Sequence, residues 1–121
     1  MLSEELTDLV KRICKQKYEE QTIEVKAAQG GCPRLYDTLS SFSNQNTGGV
    51  IVFGLDEKQG FAPVGVYDVQ DLQHRASEQC KQMEPVVRPL FSSCEIDGKR
   101  FVGMEIPAVE AAERPVYYKG A

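Results

Sequence analysis

Apolar and polar positions alternate with two different periods along this chain, and the switches between them mark out its elements. Over residues 3–17, Leu6, Leu9, Val10 and Ile13 recur three and four apart, the spacing of one helical face. Ser3 is placed to cap this helix, with Glu4 and Glu5 in the first turn, where the backbone dipole favours acids. Lys11, Arg12, Lys15 and Lys17 crowd its second half and read as a solvated helix end, since cations are favoured there on dipole grounds alone. Period two follows in TIEVKAA, residues 22–28: Ile23 and Val25 point one way, Glu24 and Lys26 the other. After GGCP, Pro33 suits the first turn of a second helix, whose stripe of Leu35, Leu39 and Phe42 runs to about Asn44.

The middle of the chain places the polar stretch NQNTGG directly before VIVFGL. That apolar, β-branched run predicts a strand buried on both faces, central in a sheet. DEKQG turns the chain and APVGVY returns as the next strand. Asp68 caps a third helix in a box-like arrangement with Asp71, and Val69, Leu72, Ala76, Cys80 and Met83 supply its buried face. Asp97-Gly98 then separates two apolar-alternating runs, the strongest short-range hairpin signal. The order α-β-α-β-β-α-β-β implies an α+β domain, a mixed β-sheet with helices packed on it. ERPVYYKGA offers nothing to close the domain, so residues 1–121 read as one domain, the N-terminal fragment of a longer protein.

Composition narrows the function classes. At 121 residues, 41% of them hydrophobic, the chain is long enough to bury a core without staples. Its net charge of −4 and pI of 5.0 lower the expectation of strong polyanion binding, because that affinity comes from Lys and Arg. Cys14, Cys32, Cys80 and Cys94 lie far apart and His74 is the one imidazole, which disfavours a structural zinc site. With no apolar run near membrane-spanning length and no signal-peptide pattern, the chain reads as cytoplasmic, with no membrane partner and its cysteines reduced and packed as small hydrophobes.

Two constellations carry candidate chemistry. Gly48 and Gly49 would let a ligand approach bare backbone, with Asn46 beside them, or would simply cap a helix and start a strand. A helix running into a strand is the reverse of a phosphate-binding loop, and no G-x-x-x-x-G-K-[ST] occurs, so ATP hydrolysis is rejected. Glu19 and Glu24 could meet Asp56 at one sheet end and hold Mg²⁺ or Mn²⁺. Their bland alternative is a solvated acidic rim. His74, between Gln73 and Arg75, reads as a surface residue; no nucleophile elbow is present.

Taken together, TIEVK, then TLSSFSN and NTGGVIVFGLDEKQG, then PVGV and finally RPVYYKG resemble the Schlafen AlbA_2 domain family, from about Glu19 to Gly120. The resemblance implies an Alba-like two-layer α/β sandwich and nucleic-acid contact, as in the N-terminal DNA-binding domains of bacterial transcriptional regulators. Its E-x-x-x-x-E-φ-K pattern falls on Glu19, Glu24, Val25 and Lys26, where the family more often has an aromatic in place of Val25. In ribonuclease members such glutamates and a following aspartate cleave RNA, which would assign Glu19, Glu24 and, of the neighbours Asp56 and Glu57, Asp56 as catalytic and metal-binding here.

The preferred reading is a non-enzymatic DNA- or RNA-binding module that needs no cofactor, with its effector domain outside this chain. Phosphate contacts would come from Lys26, Arg34, Arg88, Lys99, Arg100, Arg114 and Lys119, and from the backbone around Asn46, Gly48 and Gly49. The alternatives are a Mg- or Mn-dependent endoribonuclease, in which a homodimer would restore two lobes, and a dimerisation or small-ligand sensing module.

Overall fold

Ile23 lies opposite Val50 and Lys26 opposite Phe53, so strand β1 (Ile23–Lys26) runs parallel to β2 (Gly49–Phe53) in the computed structural model, which describes residues 1–120. Strand β2 then pairs antiparallel with β7 (Lys99–Ile106), and β7 with β6 (Leu90–Ile96). The sheet order is β1-β2-β7-β6, which puts the apolar run in the interior as expected. Short ribbons complete the strands: β3 (Leu55–Asp56) with β4 (Ala62–Pro63), and β5 (Met83–Glu84) with β8 (Tyr117–Tyr118).

Strand alternation divides the core into two clusters. Ile51, Phe53, Val102, Met104 and Ile106 face helices α2 (Tyr36–Ser43) and α3 (Val69–Lys81). Val25, Val52, Cys94 and Phe101 face the other way, onto Leu6, Leu9, Val10 and Ile13 of α1 (Ser3–Gln16). The mixed α+β architecture is therefore as expected, and α1 adds a layer on the opposite face. Each fully buried large side chain, such as Phe53 or Phe101, contributes on the order of 2 kcal/mol through burial.

Several boundaries differ from the sequence reading, each for a local reason. Leu2, not Ser3, is the cap residue of α1, and Glu5 folds back so that its Oε1 accepts the Leu2 N–H at 2.9 Å. Helix α2 starts at Tyr36 rather than near Pro33, because Gln79 of α3 takes up the backbone groups of that stretch: its side chain accepts from Leu35 N–H at 2.7 Å and donates to Pro33 O at 2.9 Å. Asp68 does cap α3, accepting from Asp71 N–H at 2.8 Å. Asp71 does not reciprocate; its carboxylate accepts from the Tyr67 hydroxyl and from Arg75 instead.

The segment APVGVY is not a full strand. Only Ala62 and Pro63 pair with β3. Val66 N–H then donates to Arg100 O and Tyr67 N–H to Ala28 O, both at 2.9 Å, so these residues fill the track that β2 leaves at Gly54. The Asp97-Gly98 hairpin forms as expected, with φ of 52° and 79°.

Candidate functional site

The amide-rich end of α2 is occupied from within the chain. Asn44 Oδ1 accepts from Val116 N–H at 2.8 Å, and its Nδ2 donates to Val116 O at 3.1 Å. Arg114 donates to Asn46 Oδ1 at 3.0 Å and to Val109 O at 3.2 Å. Tyr118 stacks on Tyr36 with ring centroids 3.7 Å apart. The polar run thus docks the C-terminal segment on α2, a role that sequence inspection missed because the partners lie about seventy residues away.

The glycine pair is equally committed. A Cβ on Gly48, at φ +66°, would stand 2.2 Å from Ile106 O, and one on Gly49 would stand 2.4 Å from the Phe42 ring. Gly48 N–H already donates to Gln45 O. Close backbone packing explains both glycines, and their approach is to the end of β7 and to α2.

The carboxylates of the acidic constellation have partners of their own. Glu19 accepts from Val25 N–H at 2.6 Å; Glu24 accepts from Thr38 Oγ1 at 2.5 Å and pairs with Lys26 at 3.0 Å. Burial holds the Glu19 carboxyl above the ordinary glutamate range against the pull of the Val25 N–H, and the negative charges of Glu57 and Glu24 add to the rise. Asp56 turns away to cap the following 3₁₀ turn, accepting from Lys58 N–H and Gln59 Nε2. Among the described residues no group of three His, Cys, Asp or Glu side chains is placed to hold a metal ion. Glu19, Glu24 and Asp56 as arranged here therefore do not fit a divalent-metal site.

The cationic candidates fall into separate places. Lys26 is held by Glu24. Arg34 lies 5.0 and 5.5 Å from the Tyr36 and Tyr118 centroids, so it flanks the stack rather than capping a face. Lys119 is exposed beyond β8, its backbone N–H bonded to Gln82 O. Arg88 lines a shallow cavity of about 350 Å³ with Thr22, Thr47 and Glu105, at the far end of β7. Lys99 and Arg100 follow one another in β7 and leave opposite faces of the sheet, yet both border one opening. They line an open cleft of about 900 Å³ with Gly65, Tyr67, Ser93 and the first residues of α3, Val69 and Gln70. The two first-turn amides of that helix have no intrahelical partner. Burial and the bond to Asp71 push the Tyr67 hydroxyl up to about 12, so it stays protonated, with its proton given to Asp71.

Cys32 and His74 do line one cavity of about 360 Å³, with Arg75, Glu78 and Gln79. Burial pushes the Cys32 thiol up, the opposite of an activated nucleophile.

A mixed sheet with helices on both faces and an open cleft where α3 starts defines an α+β domain. Residues 19–121 match the family model Schlafen, AlbA_2, and the chain belongs to that family. Helix α1 precedes the matched segment. No curated protein matches the chain. Among solved structures, it is similar to the N-terminal domain of a RecG-related protein of Nitrosomonas europaea, named as a candidate ATP-dependent DNA helicase. That similarity has 24% identity and a TM-score of 0.73, covering 94% of this chain and 80% of the other. It is also similar in fold to the DIP2311 protein of Corynebacterium diphtheriae, at 14% identity and a TM-score of 0.57, covering 97% of this chain and 24% of that one.

Proposed function

We propose that this domain is a nucleic-acid-associated module that grips a phosphate backbone in the cleft formed by Lys99, Arg100 and the start of α3. The observation that carries the reading is that Arg100 on the α3 face and Lys99 at the β6–β7 turn both border the 900 Å³ cleft where α3 begins. Arg100 reaches Glu95 at only 3.6 Å, with both side chains exposed; such a pair contributes less than about 1 kcal/mol, so a phosphate can compete for the guanidinium. The family and the resemblance in fold to a helicase-associated domain support the same direction. Contacts to phosphate give affinity without reading sequence, so specificity falls to other parts of the assembly. We extend the reading to an N-terminal module of a bacterial transcriptional regulator whose effector domain lies outside this chain.

The test is binding of a labelled 20-mer across a salt series. Affinity should fall steeply with salt, and Arg100→Gln should weaken it uniformly across sequences while reducing the log–log slope by about 1. A flat salt response, or unchanged binding by the variant, would sink the proposal.

A further inference from the structure

Resting on that phosphate-binding reading, we infer that the bound nucleic acid is a single strand, bent over the β6–β7 turn from the α3 side of the sheet onto the α1 side. Lys99 and Arg100 are consecutive in β7, so alternation sends them to opposite faces. Arg100 shares its face with its β6 partner Glu95 and with the α3 cleft. On the other face lies a second open groove, of about 500 Å³, rimmed by Lys11 and Lys15 of α1 and by Lys99, with Cys14, Ile96 and Pro63 on its apolar floor. Lys99 lines both cavities and joins them across the turn. Its ammonium donates to Pro63 O at 2.9 Å, which leaves it further donors for an anion.

Charge complementarity and shape select the ligand. The second groove presents three lysines against one facing acid, Asp97. Of the acids of the first cleft, Asp68 is engaged in the α3 cap, and Glu95 is exposed, so solvent screens its repulsion of a phosphate. A duplex is stiff over about 50 nm, far longer than this domain, so it can lie along one groove but cannot turn the corner into the other. A single strand rotates freely about its backbone and can follow both. Its unstacked bases also gain the apolar floor, which the paired bases of a duplex cannot reach. The lysines that rim this second groove on the α1 side belong to a helix that precedes the family-matched segment.

The experiment is fluorescence anisotropy with labelled oligothymidine and with a duplex of equal length, at matched salt, on the wild-type chain, the Lys11→Gln/Lys15→Gln double variant and Arg100→Gln. Both lysines are exposed, and a thermal melt of the double variant checks its fold. The single strand should bind tighter than the duplex. The double variant should lose that preference and reduce the single-strand salt slope by roughly 1.4, leaving duplex binding unchanged. Equal binding of the two probes, or equal effects of the double variant on both, overturns the wrapped strand while the α3 cleft stands if Arg100→Gln still weakens both. Failure of the wild type to bind either probe overturns both proposals.

Discussion

Asn44 and Val116 form a reciprocal pair: the side-chain amide of one accepts from and donates to the backbone of the other, at 2.8 and 3.1 Å. Ser40 Oγ adds a second donor to Val116 O at 2.8 Å, and Val116 itself is buried. This clamp fixes the C-terminal segment on α2. Removing Asn44 leaves the Val116 N–H without a partner in a place water reaches poorly, while Ser40 still serves Val116 O. Asn44→Ala should therefore destabilise the domain by about 1–3 kcal/mol in urea unfolding, with faster hydrogen exchange at Val116. An unchanged midpoint would show that the pair is dispensable.

Gly48 and Gly60 share φ +66° but not their surroundings. A Cβ at Gly60 meets nothing within 4 Å, whereas one at Gly48 meets Ile106 O at 2.2 Å. Gly60→Ala should cost only the left-handed backbone penalty of about 1–2 kcal/mol. Gly48→Ala should cost well beyond that, since β2 must separate from the end of β7 to admit the methyl group. Equal losses in the two variants would contradict the close approach.

Glu19 gives the stability curve a definite sign. Its folded-state pKa is raised, first by burial, so its favourable contribution is present in full below the ordinary glutamate pKa and is lost as pH climbs through the raised value. Glu19→Gln keeps an oxygen for the Val25 N–H, bonded at 2.6 Å in the parent, and removes the charge. The variant should gain stability relative to the parent as pH rises through the weakly acidic range, with no gain at more acidic pH. Thermal midpoints measured from pH 4 to 7 decide it; a variant that loses ground toward neutrality refutes the assignment.

Millimolar Mn²⁺ should leave the thermal midpoint unchanged, because Asp56 is turned into its 3₁₀ turn and Glu24 is held by Thr38 and Lys26. A metal that bound the folded state well above its Kd would raise stability by a few kcal/mol. A rise in midpoint abolished by Glu24→Gln would reinstate a metal site.

The local rules and the tertiary contacts divided this molecule between them. The Asp97-Gly98 hairpin was legible because a two-residue turn depends only on its own φ angles and the flanking alternation. The interior strand was legible from the apolar run, and Asp68 as the α3 cap from its own reach to the next turn. The start of α2 was not, since Gln79, 44 residues from Leu35, holds the preceding stretch out of the helix. The second half of APVGVY was not, since its partners are Ala28 and Arg100 rather than a neighbouring hairpin strand.

Candidate chemistry divided the same way. The sequence alone determined the residue types available: the glutamates, the glycine pair, the amides and a scatter of cations. Only tertiary structure decided which were free to act. Packing takes up the backbone of Gly48 and Gly49, the amides of Asn44 and Asn46 are taken by Val116 and Arg114, and Lys99 and Arg100 are left facing open clefts. The physical reason is that a hydrogen bond or a steric contact across seventy residues leaves no period in the sequence, whereas a turn or a buried face writes its pattern into adjacent positions.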